Sequence, residues 1–172
     1  MSKLLVEKIP RVTKNRRKLE KELSVKITNR GKEVFIDGAG EDEFVAEKII
    51  EALDFGFPFQ ISLSLKNEDV MFEILNLKDY THSRDMGRIR SRIIGTQGGT
   101  LKTLSDLSTC ALELKDNKVG IIGNVVNIKA AQEAVISIVK GAKQSNVYTG
   151  LEKSRPEDAV DLGLKKEFKD LN

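Results

Sequence analysis

The residues with the most chemical potential form one run, Arg88-Ile89-Arg90-Ser91-Arg92-Ile93-Ile94-Gly95-Thr96-Gln97-Gly98-Gly99-Thr100-Leu101-Lys102. Two glycines spaced Gly-x-x-Gly let the backbone turn sharply and approach another molecule closely. The pattern predicts an apolar and basic helix running into Gly95 and a second helix leaving Gly98. The start of that second helix offers unpaired N–H groups and the positive end of a dipole. Such a spot binds phosphate. Arg88, Arg90, Arg92 and Lys102 add positive charge around it. A plain corner between two helices would use the same glycines only to end the first. The basic flanks, and the strand–turn–strand–glycine–helix pattern that follows, favour the phosphate reading.

Other chemistry is poorly supplied. A nucleotide-binding phosphate loop needs Gly-Lys-[Ser/Thr] after its second glycine, but Gly98 is followed by Gly99-Thr100. Gly-x-Gly-x-x-Gly is absent, and Ser91, Ser105 and Ser108 lack a Gly-x-Ser-x-Gly frame. The chain has 1 cysteine and 1 histidine, so neither an internal disulfide nor a Cys- or His-based metal cluster is expected. Cys110 falls in a predicted strand and reads as a small core residue. His82 lies in a polar stretch, Tyr80-Thr-His-Ser-Arg84, and reads as a surface residue. Aromatics make up 5% and Trp is absent, which excludes a cage of several aromatic rings. No catalytic residue, no metal and no cofactor is expected.

The elements that must hold the glycine loop come in two copies. At an ungapped offset of 85, Val34, Ile36 and Gly38 lie over Val119, Ile121 and Gly123, and Leu19 lies over Leu104. Val45, Ile49, Ile50 and Leu53 lie over Ala130, Ala134, Val135 and Ile138. Each copy predicts a short helix (about 13–22 and 99–107), a strand, a tight polar turn at 29–32 or 116–117, and a second strand at 33–37 or 118–122. A longer amphipathic helix follows, at about 42–53 and 126–140, with Asp42 and Asn124 placed to cap it. A strand precedes each copy, at 4–6 and 70–75. The second copy reads β-α-α-β-β-α, whereas the first has lost most of its first helix and the loop, since Gly95 and Gly98 fall on Pro10 and Thr13.

Four segments result: 1–54, a first unit without Gly-x-x-Gly; 55–69, an apolar connector; 70–145, the second unit; and 146–172, a partly helical extension. In the connector Ile61, Leu63 and Leu65 alternate as in a strand, but Pro58 suits a helix start, and a short helix is expected. Phe55, Phe57 and Phe59 give it more apolar surface than a solvated linker carries, so 55–65 is expected to pack between the units. Ser154-Arg-Pro-Glu157 has the form of a capping box, predicting a helix over about 156–169.

The 172 residues carry 29 Lys plus Arg against 26 Asp plus Glu, a net charge of +3, with 40% hydrophobic and 32% charged residues. That balance builds a packed core and argues against wholesale disorder. The charge is uneven: residues 1–22 and 84–104 are basic, and Glu41 to Asp54 leans acidic. No apolar run reaches the roughly 20 residues that cross a bilayer. Met1 to Pro10 has no signal-peptide core. A cytoplasmic protein with no membrane association is expected.

Arg92-Ile-Ile-Gly-Thr-Gln-Gly-Gly-Thr-Leu-Lys102 resembles the core of a KH domain, and the order of elements around it resembles the type I KH fold. With Glu73-Ile-Leu-Asn-Leu-Lys-Asp-Tyr80, Val119-Gly-Ile-Ile-Gly123 and Gly141-Ala142, residues 3–155 are similar to the archaeal and eukaryotic ribosome-assembly KH proteins of the Krr and partner-of-Nob type. The resemblance implies an α+β fold of two tandem type I KH domains, each a three-stranded antiparallel sheet with helices on one face. It implies single-stranded RNA binding in small ribosomal subunit assembly and rRNA processing, near the 3′ end of small-subunit rRNA. Implied partners are the α subunit of translation initiation factor two and the Nob endonuclease. Gly95, Thr96, Gln97 and Gly98 match the RNA-binding loop. Ile93 and Ile94 match groove-side apolar positions, and Arg88, Arg90, Arg92 and Lys102 match basic ones. With Leu101 and Leu112, the two isoleucines either floor a groove or belong to the core. The alternative is a protein-interaction scaffold of KH-like folds with little RNA binding of its own. The intact loop of the second copy discriminates between the two.

Overall fold

The computed structural model describes residues 1–154. The helix expected over 156–169 lies outside the described residues. Among those described, the chain forms two three-stranded antiparallel sheets, each with helices packed on one face. In the first unit β1 (Ser2–Leu5) passes through Val6-Glu7-Lys8 into α1 (Ile9–Leu23), then β2 (Lys26–Arg30), β3 (Glu33–Asp37) and α2 (Gly40–Phe55). The second unit has β4 (Met71–Asn76), α4 (Met86–Ile94), α5 (Gly99–Ser108), β5 (Ala111–Lys115), β6 (Lys118–Gly123), α6 (Val125–Val139) and α7 (Gln144–Ser154). The sheet orders are β1-β3-β2 and β4-β6-β5. Between the units lie α3 (Phe59–Leu63), with Pro58 as its N-cap, and a 3-10 turn over Ser64–Lys66.

The offset of 85 governs the backbone as well as the apolar pattern. Ser24 and Thr109 both end a helix in the left-handed region, with φ of 54° and 56°. Gly31 and Asp116 take the same conformation in the two hairpin turns, with φ of 59° and 53°. A Cβ on Gly38 would stand 2.8 Å from Val25 Cγ1, and one on Gly123 2.6 Å from Cys110 Sγ, so each glycine lets its strand end pass over the start of another. Register breaks only upstream. Leu4 lies opposite Val34 and Leu75 opposite Val119, and the extra residues of the second unit are those that form α4 and the glycine loop.

Several elements differ from expectation. α1 starts at Ile9 because Pro10 in its first turn is preset for helix entry. Asp42 does not cap α2. That helix begins earlier, with Ala39 as N-cap, and Asp42 sits in the first turn. Asn124 does cap α6, accepting the Asn127 N–H at 2.8 Å. Cys110 is buried, but just before β5. The second core runs past residue 145, because Val147 and Leu151 of α7 are buried in it.

The rear face of the second sheet, away from its helices, is covered by the first unit and the connector. Phe57 stacks on Phe55 at 5.9 Å between ring centroids, and Phe72 of β4 meets both edge-on at 5.9 and 5.6 Å. Gly120 on β6 makes room for them: a Cβ there would stand 2.7 Å from the Phe55 ring. Ile122, Phe72 and Ala111 thus belong to the core of the first unit. Lys115 of β5 pairs with Glu7 at 2.8 Å. Arg11 Nη1 donates to the Leu53 carbonyl at 3.3 Å and sets its charge near Glu113, whose carboxyl burial pushes up.

Candidate nucleic-acid interface

Asp85 caps α4 by accepting the Arg88 N–H at 3.1 Å. The helix ends at Gly95, whose N–H donates to Ser91 O at 2.8 Å and whose φ is 74°. A side chain at Gly95 would meet Thr100 Oγ1 at 2.1 Å and its backbone N at 2.7 Å, so α4 and α5 close on each other there. Thr96–Gly98 form one 3-10 turn with Gln97 at φ 54° and Gly98 at φ 75°. Thr96 and Gln97 are exposed at the tip. Gly98 is the N-cap of α5, with no side-chain cap and no acid in the first turn. The Gly99 N–H donates back to Thr96 O, and the N–H groups after it have no side-chain cap beside an exposed turn, an arrangement suited to an anion.

β5, which follows α5 and packs against it, is one of the two edge strands of its sheet. Leu112 and Leu114 turn to the helix side and Glu113 and Lys115 to the rear. At the hairpin end, Arg90, Leu114, Asp116 and Asn117 line a cavity of 440 Å³. Arg90 Nη1 donates to Asn117 Oδ1 there.

The predicted site residues divide by role. Gly95, Thr96, Gln97 and Gly98 form the turn, and Arg88 and Lys102 are exposed on the helices flanking it. Ile94 is 37% exposed, while Ile93 is 0% exposed and so is core rather than groove floor. Leu112 is likewise buried, and Leu101 partly so. Arg92 also departs from expectation. Its guanidinium donates to Ile138 O at 3.1 Å and Ala142 O at 2.8 Å, which ties α4 to the end of α6 and the turn after it. Arg90 is held at the hairpin. The sequence reading took Asp116 and Asn117 only as a turn and missed their place in the cavity. The available signal was Asp116, a residue with a side chain where the first copy has Gly31. Among the described residues no group of three His, Cys, Asp or Glu is placed to hold a metal, and no helix is long and apolar enough to cross a membrane.

A three-stranded antiparallel sheet, two short helices joined by an exposed Gly-x-x-Gly turn, and a third helix on the same face make the second unit a KH fold of type I. A family model described as "Eukaryotic type KH-domain (KH-domain type I)", for the second such domain of the PNO1 proteins, matches residues 71–156. The chain belongs to the PNO1/Dim2-type family of KH-domain ribosome-assembly proteins. It is 29% identical over 149 residues to a KH domain-containing protein of Methanocaldococcus jannaschii, covering 80% of this chain and 63% of that one. It is 32% identical over 111 residues to the pre-rRNA-processing protein pno1 of Emericella nidulans, covering 62% of this chain and 43% of that one. The chain therefore spans less than two thirds of the length of these curated relatives. Among solved structures it is similar to Dim2p from Pyrococcus horikoshii, with 27% identity and a TM-score of 0.81 over 88% of this chain and 98% of that one. The a/eIF2alpha–aDim2p–rRNA complex from the same organism matches with 27% identity and a TM-score of 0.79, covering 88% of this chain and 92% of that one.

Proposed function

We propose that the protein binds single-stranded RNA in the groove between the Gly95–Gly98 turn and β5, and acts in small ribosomal subunit assembly on rRNA near its 3′ end. The observation that carries this is the exposed turn Gly95-Thr-Gln-Gly98 at the start of α5, which has no side-chain cap and packs against the edge strand β5. A KH loop clamps about four backbone nucleotides while their bases enter the groove. Arg88 and Lys102 neutralise phosphates. Ile94 and Leu114 meet base faces, and Arg90, Asp116 and Asn117 offer donors and acceptors to base edges. Ile93 and Arg92 support the groove from beneath. Residues 1–54 form a KH-like unit in which the direct passage from β1 to α1 leaves no loop, residues 55–69 the connector, and residues 70–145, extended by α7, the RNA-binding KH domain.

The protein acts as a binding module and not as an enzyme, in the cytoplasm. The P. horikoshii complex holds a/eIF2alpha, aDim2p and rRNA together, which supports rRNA and the α subunit of translation initiation factor two as partners. The Nob endonuclease is a further proposed partner. Crosslinking the protein in cells and mapping the attached RNA tests the reading. Crosslinks are expected at the 3′ region of small-subunit rRNA. Their absence from that rRNA would overturn it.

A further inference from the structure

Phe44 stands on the solvent side of α2 with 58% of its surface exposed, while Ala46, Ile49, Ile50 and Leu53 of the same helix are buried. A large ring kept in water is the kind of anchor an interaction site uses. Helical spacing places Glu41, Glu47, Lys48 and Glu51 around it on the same face. Lys48 Nζ lies 4.3 Å from the centre of the Phe44 ring, so the ring already takes a cation on its face. Two turns on, about 10 Å along the helix, Glu51 opens into a cleft of 210 Å³ between the units. Ile74 of β4 lines that cleft and is 49% exposed. Two lysines line it as well, Lys115, which is held by Glu7, and exposed Lys118, together with Asp54 and Asp116. Glu41, Glu47 and Glu51 form no salt bridge among the described residues.

We propose that this face of α2, from Phe44 to the Ile74 cleft, docks a basic segment of a protein partner. Its Lys or Arg side chains would lie on Glu47 and Glu51, and its apolar side chains on Phe44 and Ile74. Charge decides the occupant. Glu41, Glu47 and Glu51 on the helix, with Glu7, Asp54 and Asp116 in the cleft, outnumber Lys48, Lys115 and Lys118, so the face as a whole repels a phosphate backbone and attracts cations. Burial and the neighbouring charge of Glu47 push the Glu51 carboxyl up, so an arriving cation relieves an existing repulsion.

The test uses the full chain, isotope-labelled for amide NMR, with a short amidated Lys/Leu peptide as probe and a Glu/Leu peptide of equal length as control. The Lys/Leu peptide is expected to shift amides of α2 and β4, and the control to leave them in place. Phe44→Ala, and separately Glu47→Gln with Glu51→Gln, should each weaken peptide binding by about tenfold. RNA binding should stay unchanged in both variants, which keeps this surface distinguishable from the groove. All three positions lie on the outer face of α2, and an unchanged melting transition checks the fold. No binding of the Lys/Leu peptide, shifts confined to other elements, equal binding of the Glu/Leu peptide, or full binding by both variants would overturn the proposal.

Discussion

Gly95 and Gly98 have equal weight in a sequence motif but do different work in the fold. At Gly95 a methyl group would meet the Thr100 side chain at 2.1 Å and the Thr100 backbone at 2.7 Å, in addition to a φ of 74°. At Gly98 the φ is 75°, but no atom lies within 4 Å of an added Cβ. Gly98→Ala should therefore cost only the left-handed conformation, about 1–2 kcal/mol. Gly95→Ala must also push α4 and α5 apart and should cost roughly 3 kcal/mol or more. Urea unfolding of the two variants checks this, and equal losses would contradict the steric part. The spacing of the glycines could be read from the sequence, but their inequality could not, because it depends on where Thr100 returns after the turn. At Cys110, burial pushes the thiol up to about 11. The buried thiol favours its neutral form, so its contribution to stability is complete below the ordinary thiol range and fades as pH rises toward that value. A disulfide reagent at pH 8 should react with Cys110 only as fast as the chain opens. Prompt reaction of the native protein would show the thiolate to be accessible.

Along α4 the basic residues form one set in the sequence and split by direction in the helix. Arg88 and, on α5, Lys102 face solvent, while Arg90 turns to the hairpin and Arg92 to the end of α6. Neutralising Arg88 and Lys102 together should weaken RNA binding and flatten its salt dependence. At about −0.7 per phosphate contact, the logarithmic slope should fall in magnitude by roughly 1.4. Arg92→Gln should lower the melting temperature and leave that slope alone, because Arg92 bonds the Ile138 and Ala142 carbonyls and no phosphate. Titrating a fixed RNA at several salt concentrations separates the cases, and a slope change in Arg92→Gln would reverse the assignment. The strands and long helices could be read from periodicity because each has a buried face. Glu33–Asp37 is recovered at its expected bounds, with Val34 and Ile36 buried. The start of α2 could not be read, because Gly38-Ala39-Gly40 carries no capping side chain and Asp42 offered a plausible false start. Nor could the roles of Arg90 and Arg92, whose partners lie 27 and 46 or more residues away.

The two units share a packed wall. Phe55, Phe57 and Phe72 fill it over Gly120, and Lys115 with Glu7 closes one edge. β5 gives Leu112 to the second core and Ala111 to the first. The intact chain should therefore melt in a single transition, while a fragment 1–66 exposes Phe55 and Phe57 and should aggregate. Gly120→Val would force a side chain into the rings and should split or lower the transition. Two well-separated transitions in the unaltered chain, or protease cleavage within 55–65 of the native protein, would show the units to be independent. The apolar excess of the connector was visible in the sequence. The surface it meets was not, because Gly120 and Phe72 become neighbours of Phe55 only through the pairing of β4 with β6. The tip of the turn presents two exposed residues, Thr96 and Gln97. Replacing Thr96 and Gln97 together with Asp sets two negative charges against the RNA backbone at the tip of the turn. Equilibrium binding of the double variant to single-stranded RNA from the 3′ region of small-subunit rRNA should collapse while its melting transition stays in place. Undiminished binding by a folded double variant would contradict the assignment of the groove.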